Sequence, residues 1–316
     1  MPSETTSSSQ NFWIWIDRAR MFPWFVGSLL AGILLSFPLY HGDLAAVGWA
    51  VEVARDSPWI TWWTDVSDRS LFQGEPPGAQ DVTYVAVIAV LVIYIVSLAP
   101  RLTQGWAEIR LWAGYYLCCM LCFLVVNRGL KAFFARVRPG DVLRGDHIFS
   151  PMWLLGHYDL PEALSKGSFT SGHTTTAMFL LPVFFIFLHS AYRSFAGPVF
   201  VLAVAWGASL GAGRVFSGSH YPGDVLWAMI VCLWICAFTS THLFSLHRRH
   251  GSPASPWLWE LRITIFAAFA LLGLFLVLIG MKEMIFYGAW YWVAATALAA
   301  YFAWTCFEKA AFLARR

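Results

Sequence analysis

The chain has 316 residues, a formal net charge of +3, 59% hydrophobic residues and only 12% charged ones. Soluble domains carry roughly 25% charged residues, about twice this share. The composition therefore excludes a disordered chain, a collagen-like repeat and an ordinary water-soluble enzyme. With 18 Trp and 26 Phe as well, it reads as a protein built for a bilayer.

The elements follow in chain order. Met1–Gln10 is rich in Ser and Thr and is expected to lack structure. A helix needs about 20 mostly apolar residues to cross a hydrocarbon core roughly 30 Å thick. Eight segments fit or approach that length: Met21–Tyr40, Val82–Ala99, Leu111–Val126, Thr174–His189, Pro198–Gly213, Val225–Leu243, Ile263–Ile279 and Ile285–Phe307. None of them contains Asp, Glu, Lys or Arg. Charge in lipid is costly and usually functional, so its absence argues against a proton- or ion-coupled transporter. Met21–Tyr40 has no small-residue cleavage site behind it and reads as an anchor, not a removed signal peptide.

Leu44–Trp63 is apolar but interrupted by Glu52, Arg55 and Asp56, and it carries Trp49, Trp59, Trp62 and Trp63. It is expected to be one or two interfacial helices outside the membrane core. All six cysteines fall inside predicted spans, so no disulfide is expected, and the Cys119/Cys122 C-x-x-C pair reads as packing.

Eight spans place both termini on one side. The flanks on that side, 1–20, 101–110, 190–197, 244–262 and 308–316, hold about half of the Lys and Arg but fewer than a third of the Asp and Glu. This bias assigns the termini to the cytoplasm. Gly42–Asp81 and Arg128–His173 then lie outside, in the periplasm of a bacterium.

Three clusters of polar residues occur at the outer ends of the spans. Lys131 and Arg138 are seven apart, two turns of helix, and a helix would show both on one face. Pro139 biases Arg138 away from helix, so the helix is expected to end there. Two cations on one face suit a phosphate; equally, a basic flanking helix could anchor headgroups. The second cluster, Ser168 to His173, precedes Thr174–His189. Free N–H groups at such a helix start bind anions, although Ser171 also serves as a plain N-cap. His173 beside an anion site is a candidate general acid, or else an interfacial side chain. In the third cluster, His220 and Asp224 are four apart across the Pro222-Gly223 turn, and Arg214 supplies another cation. Asp224 could orient one ring nitrogen of His220 and raise the basicity of the other, cap the following helix, or do both.

Together these clusters resemble the signature of the type-2 phosphatidic acid phosphatase superfamily, which also includes the vanadium haloperoxidases. The pattern K-x6-RP, PSGH, SR-x5-H-x3-D reads here as Lys131…Arg138-Pro139, Thr170-Ser171-Gly172-His173 and Gly213-Arg214…His220…Asp224. Thr170 stands for the usual Pro and Gly213 for the usual Ser, departures expected to alter loop stiffness and remove one phosphate hydrogen bond. With the apolar runs, this gives an expected all-α polytopic bundle: a cytoplasmic tail 1–20 and a six-span core 21–245, from which the periplasmic interfacial segment 44–63 and a two-helix extension with its tail at 246–316 stand out as additions to the family pattern. The resemblance implies His220 as nucleophile, Asp224 as its orienting acid and His173 as leaving-group acid. Lys131, Arg138, Arg214, Ser171 and Gly172 would hold the phosphoryl group.

The activity so implied is hydrolysis of a phosphomonoester or pyrophosphate of a membrane lipid (phosphatidate, phosphatidylglycerophosphate, undecaprenyl pyrophosphate or lipid A type) through a phosphohistidine. A lipid-linked phosphotransferase is the alternative. No metal, cofactor or nucleic acid is expected; the partners are the lipid phosphate and the phospholipid bilayer of the inner membrane. For the C-terminal hairpin the sequence leaves packing, a dimer surface and a groove wall open, with packing the default.

Overall fold

The computed structural model describes residues 8–99, 106–249 and 258–315, with side chains from residue 25 onward. The described residues form helices and connecting turns. In chain order these are α1 (Ser8–Asp56), α2 (Pro58–Asp68), α3 (Asp81–Ser97), α4 (Ala107–Phe134), α5 (Pro139–Leu143), α6 (Leu160–Lys166), α7 (Gly172–Ala177), α8 (Leu181–Leu188), α9 (Ala196–Phe216), α10 (Pro222–Phe238), α11 (Leu246–Arg249), α12 (Trp259–Tyr287) and α13 (Trp292–Arg315). Of the Ser/Thr-rich Met1–Gln10, residues 1–7 lie outside the described residues, and Ser8–Gln10 are helical rather than unstructured.

Five helical stretches are long and apolar enough to cross a membrane: Phe25–Asp56, Ala107–Leu143, Arg193–Phe216, Pro222–Leu243 and Trp259–Tyr287. Two shorter apolar helices, Asp81–Ser97 and Gly172–Leu188, fall at two further expected segments; the last expected segment, Ile285–Phe307, is divided between the end of α12 and the 24-residue α13. The chain is thus a polytopic helical bundle. Its outer surface is apolar: Phe37 is 84% exposed and Leu34 72%, and water would not tolerate so continuous an apolar surface. The interior is packed by aromatic and sulfur side chains from α4, α8, α10 and α12, among them Tyr115, Phe123, Cys119, Phe185, Cys232 and Trp259. All six cysteines are free and buried.

Two boundaries differ from expectation. Leu44–Trp63 is not a separate segment: α1 runs unbroken to Asp56, and the chain turns at Ser57. The turn is made by Ser57 as N-cap of α2 with Pro58 in its first turn. The outer segment expected from Gly42 therefore begins inside α1, where Asp43 is ion-paired with Arg136 within the bundle. Helix α4 ends at Phe134, four residues before Arg138, where Ala135 takes a left-handed conformation (φ 48°). Arg138 is extended, as its place before Pro139 requires. Lys131 and Arg138 therefore do not share a helical face.

The C-terminal hairpin packs along α4. A Cβ at Gly129 would lie 2.2 Å from the Phe275 ring, so the absence of a side chain lets α12 approach. Lys282 on α12 donates to the carbonyl of Ala132 (3.1 Å). At the other end of α4, Arg110 and Glu260 form a buried ion pair (3.4 Å).

Candidate active site

The three sequence clusters converge at one end of the bundle, where α4, α7, α9 and α10 meet the loop 135–171. Helix α10 starts at Pro222, which puts Asp224 in its first turn. There the carboxylate accepts from the backbone N–H of Tyr221 (3.0 Å), as expected of an acid near a helix N-terminus. The same Oδ2 accepts from Ser168 Oγ and lies 3.6 Å from His220 Nδ1. Capping and orientation of His220 therefore coexist in one side chain. An ionised carboxylate only accepts hydrogen bonds, which assigns the proton of neutral His220 to Nδ1 and leaves Nε2 with a lone pair. Burial pushes His220 down to about 3, with Lys131 and Arg214 adding to the effect against the opposing pull of Asp224. The imidazole is therefore neutral at physiological pH.

Cations surround this pair. Lys131, 5% exposed, donates to the carbonyl of Gly167 (2.6 Å), and Arg138 Nε donates to the carbonyl of Lys166 (2.6 Å). The two side chains thus meet adjacent residues of one strand of loop, and it is the bend at Ala135, not helical periodicity, that brings them together. Arg214 is buried at the end of α9, close enough to Arg138 for the two charges to repel. Its Nε has no hydrogen-bond partner among the described residues, a donor that an oxyanion would satisfy. Ser171 caps α7 by accepting from Thr174 N–H (3.4 Å), so the plain capping role holds; Gly172 is the first residue of that helix. His173 follows, its Nε2 3.2 Å from Asp68 Oδ1. Three cations, two imidazoles and a helix start thus lie at one end of the bundle, a charge arrangement that suits a tetrahedral anion.

Four residues escape the sequence reading, and Ser168 enters it only as the start of its cluster. Arg136 is buried behind Asp224, donating through Nη1 to Asp224 Oδ1 (2.7 Å), through Nη2 to Asp43 Oδ2 (3.0 Å) and through Nε to the Ser150 carbonyl (3.0 Å). Its guanidinium stacks over the Tyr221 ring at 3.9 Å. Asp43 also accepts from the Gly223 N–H (3.1 Å), so α1 is tied to the first turn of α10. Ser168 and Asn127 fix the loop before α7: Asn127 donates to the carbonyl (2.9 Å) and hydroxyl (3.0 Å) of Thr170. The hydroxyl that replaces the usual proline is thus used. Asp68 reaches the site from α2 and contacts both Arg214 and His173. Arg136 lies between Lys131 and Arg138 and was visible as an extra cation; Asp43 and Asp68 had no local signal, because their partners are more than 90 residues away.

Gly213 also has a structural reason. A Cβ there would lie 2.2 Å from Ser67 Oγ, so the glycine admits the last turn of α2. Among the described residues no group of three or more His, Cys, Asp or Glu is arranged to hold a metal ion.

Comparison with known proteins gives a family and a relative. Residues 112–248 match the family described as the PAP2 superfamily. A lipid A 1-phosphatase of Rhizobium johnstonii is 32% identical over 131 residues, which cover 41% of this chain and 47% of that protein. The match thus spans about half of the relative's length. No solved structure gives a significant match.

Proposed function

Starting from a PAP2 superfamily domain at residues 112–248, we propose that the chain is an integral membrane lipid phosphatase working through a phosphohistidine on His220. The observation that carries this reading is the buried, neutral His220 held by Asp224 among Lys131, Arg138 and Arg214. The Nε2 lone pair attacks phosphorus, the N–P bond forms as the P–O bond to the lipid breaks, and His173 gives its proton to the departing oxygen. Water then attacks phosphorus, passes a proton to His173 and releases orthophosphate with His220 restored. Lys131, Arg138, Arg214, Ser171 and the Gly172 N–H stabilise the charge on the equatorial oxygens.

The substrate is a phosphomonoester or pyrophosphate at headgroup level, where these helices end. The Rhizobium relative makes lipid A the first substrate to try. The proposed setting is a bacterial inner membrane with the site on the periplasmic face. The contacts Phe25–Trp234 and Trp259–Leu313 support it, since they place both terminal helices at the end of the bundle remote from His220.

The test is phosphate release by the detergent-purified chain from lipid A, phosphatidate, phosphatidylglycerophosphate and undecaprenyl pyrophosphate, each labelled in the terminal phosphate. Label released as free phosphate by the wild type, and not by His220→Ala, supports the reading. Label moving onto a second lipid makes the enzyme a transferase, and equal release by the variant removes the assigned nucleophile.

A further inference from the structure

Asp68 closes α2, and its carboxylate lies against two groups assigned above to the transferring phosphate. Its Oδ1 contacts Arg214 Nη1 and stands 3.2 Å from His173 Nε2. One carboxylate oxygen therefore sits between the cation meant for a phosphoryl oxygen and the acid meant for the leaving oxygen. The Asp68 side chain is 54% exposed, against 5% for Arg214 and 21% for His173. The acid is thus at the mouth of the cradle and its partners are deeper.

Helix α2 gives no local reason for a carboxylate here, because the last turn of a helix disfavours negative charge. The stabilisation comes from across the site: the His173 ring 3.2 Å away and the charge of Arg214 hold Asp68 below the usual carboxylate range. The helix is seated for this contact. Trp63 Nε1 donates to the Ser209 carbonyl on α9 (3.0 Å), and Gly213 leaves the room that Ser67 fills. On the other side of α2, Trp59 is 72% exposed and stacks with Trp62 at 4.7 Å, a pairing suited to headgroup depth.

We propose that Asp68 is an internal substitute for the substrate phosphate, and that it selects terminal phosphates over the phosphodiesters of the surrounding bilayer. The proposal rests on the phosphatase reading of the cradle. In the resting enzyme Asp68 neutralises Arg214 and holds His173. A dianionic monoester displaces it, because two charges and three oxygens engage Lys131, Arg138 and Arg214 together, whereas the carboxylate reaches only Arg214 and His173. A singly charged phosphodiester brings less charge and loses the exchange. No bond is made or broken in this step.

The test is calorimetric titration of inorganic phosphate into the purified full-length chain, alongside KM and kcat on a lipid phosphomonoester. Asp68→Asn is expected to bind phosphate about tenfold more tightly and to lower KM by a similar factor. Gly213→Ala, whose Cβ would lie 2.2 Å from Ser67 Oγ and so pushes α2 away without adding a hydroxyl for phosphate, should shift both in the same direction and serves as an independent route should one variant fold poorly. Phosphate affinity that is unchanged or weaker in both variants overturns the proposal. So does a fall in kcat at unchanged phosphate affinity, which would make Asp68 a positioning residue for His173. Absence of phosphate binding in the wild type and in both variants would instead bring down the cradle itself.

Discussion

Helix α4 carries a buried cation near each end, and the two are treated differently. Near its start, Arg110 faces Glu260 from α12, both side chains almost fully buried. Near its end, Lys131 is equally buried but is met by the carbonyl of Gly167, with Arg138 and Arg214 close by. One end is neutralised by the protein; the other is left positive. A buried charge lacking a direct partner costs stability, and its presence at only one end marks that end as the place for an anion. Arg136 makes a third case. It is fully paired, with Asp224 and Asp43, and its role is to hold the acid that holds His220.

Substitutions can break or sharpen this comparison, and the largest effect is expected at His220. His220→Ala should lower lipid phosphate release by at least about 10³-fold and leave the melting temperature near that of the wild type. Next is the contrast between Arg136 and Arg110. Arg136→Met leaves Asp224 and Asp43 buried without their cation. It should cost about 3–5 kcal/mol of stability and lower kcat in the fraction that stays folded. Arg110→Met should destabilise comparably while activity per folded molecule is retained, and joint replacement of Arg110 and Glu260 by apolar residues should restore the melting temperature. Equal catalytic loss in both single variants would erase the distinction between the two ends of α4.

Lys131→Met tests the unpaired end. Activity should fall by roughly 10²-fold while stability rises by on the order of 1 kcal/mol, opposite in sign to Arg136→Met. A lower melting temperature would mean that Lys131 holds the fold instead of the phosphate.

The smallest effect concerns pH. His220 is depressed to about 3 from an ordinary value of 6.5. The unfolded chain therefore takes up a proton at this residue before the folded protein does. Its contribution to stability is present above about pH 6.5 and is lost as pH falls toward the folded value. Melting temperatures measured from pH 7 to pH 4.5 should fall more steeply for the wild type than for His220→Ala. Parallel slopes would contradict the buried neutral imidazole.

Much of this was legible in the sequence, for a physical reason. A bilayer demands long apolar runs, so the five helices long and apolar enough to cross it could be read from composition along the chain. The site residues His220, Asp224, His173, Lys131, Arg138 and Arg214 stand where charge is otherwise scarce, at fixed spacings. What could not be read depends on contacts far apart in the chain. The apolar run ends at Tyr40 and so reads as the end of a span; α1 continues past it, and Asp43 is paired there with Arg136, 93 residues away in the chain. The break at Ala135 has no Gly or Pro to announce it. Asp68 is one acid among several in a polar stretch until α2 is laid on Gly213. The docking of the hairpin on α4 through Gly129 and Phe275 is likewise invisible in either segment alone.

The central claim is that the phosphoryl group passes through His220. Its most direct test is to mix the enzyme with a lipid labelled in the terminal phosphate, quench within milliseconds, and look for protein-bound label. Label that is stable in base and labile in acid, as a phosphoramidate is, should be present in the wild type and missing from His220→Ala. Label of the same stability on His220→Ala, or turnover by the wild type with no bound label at any quench time, would contradict it.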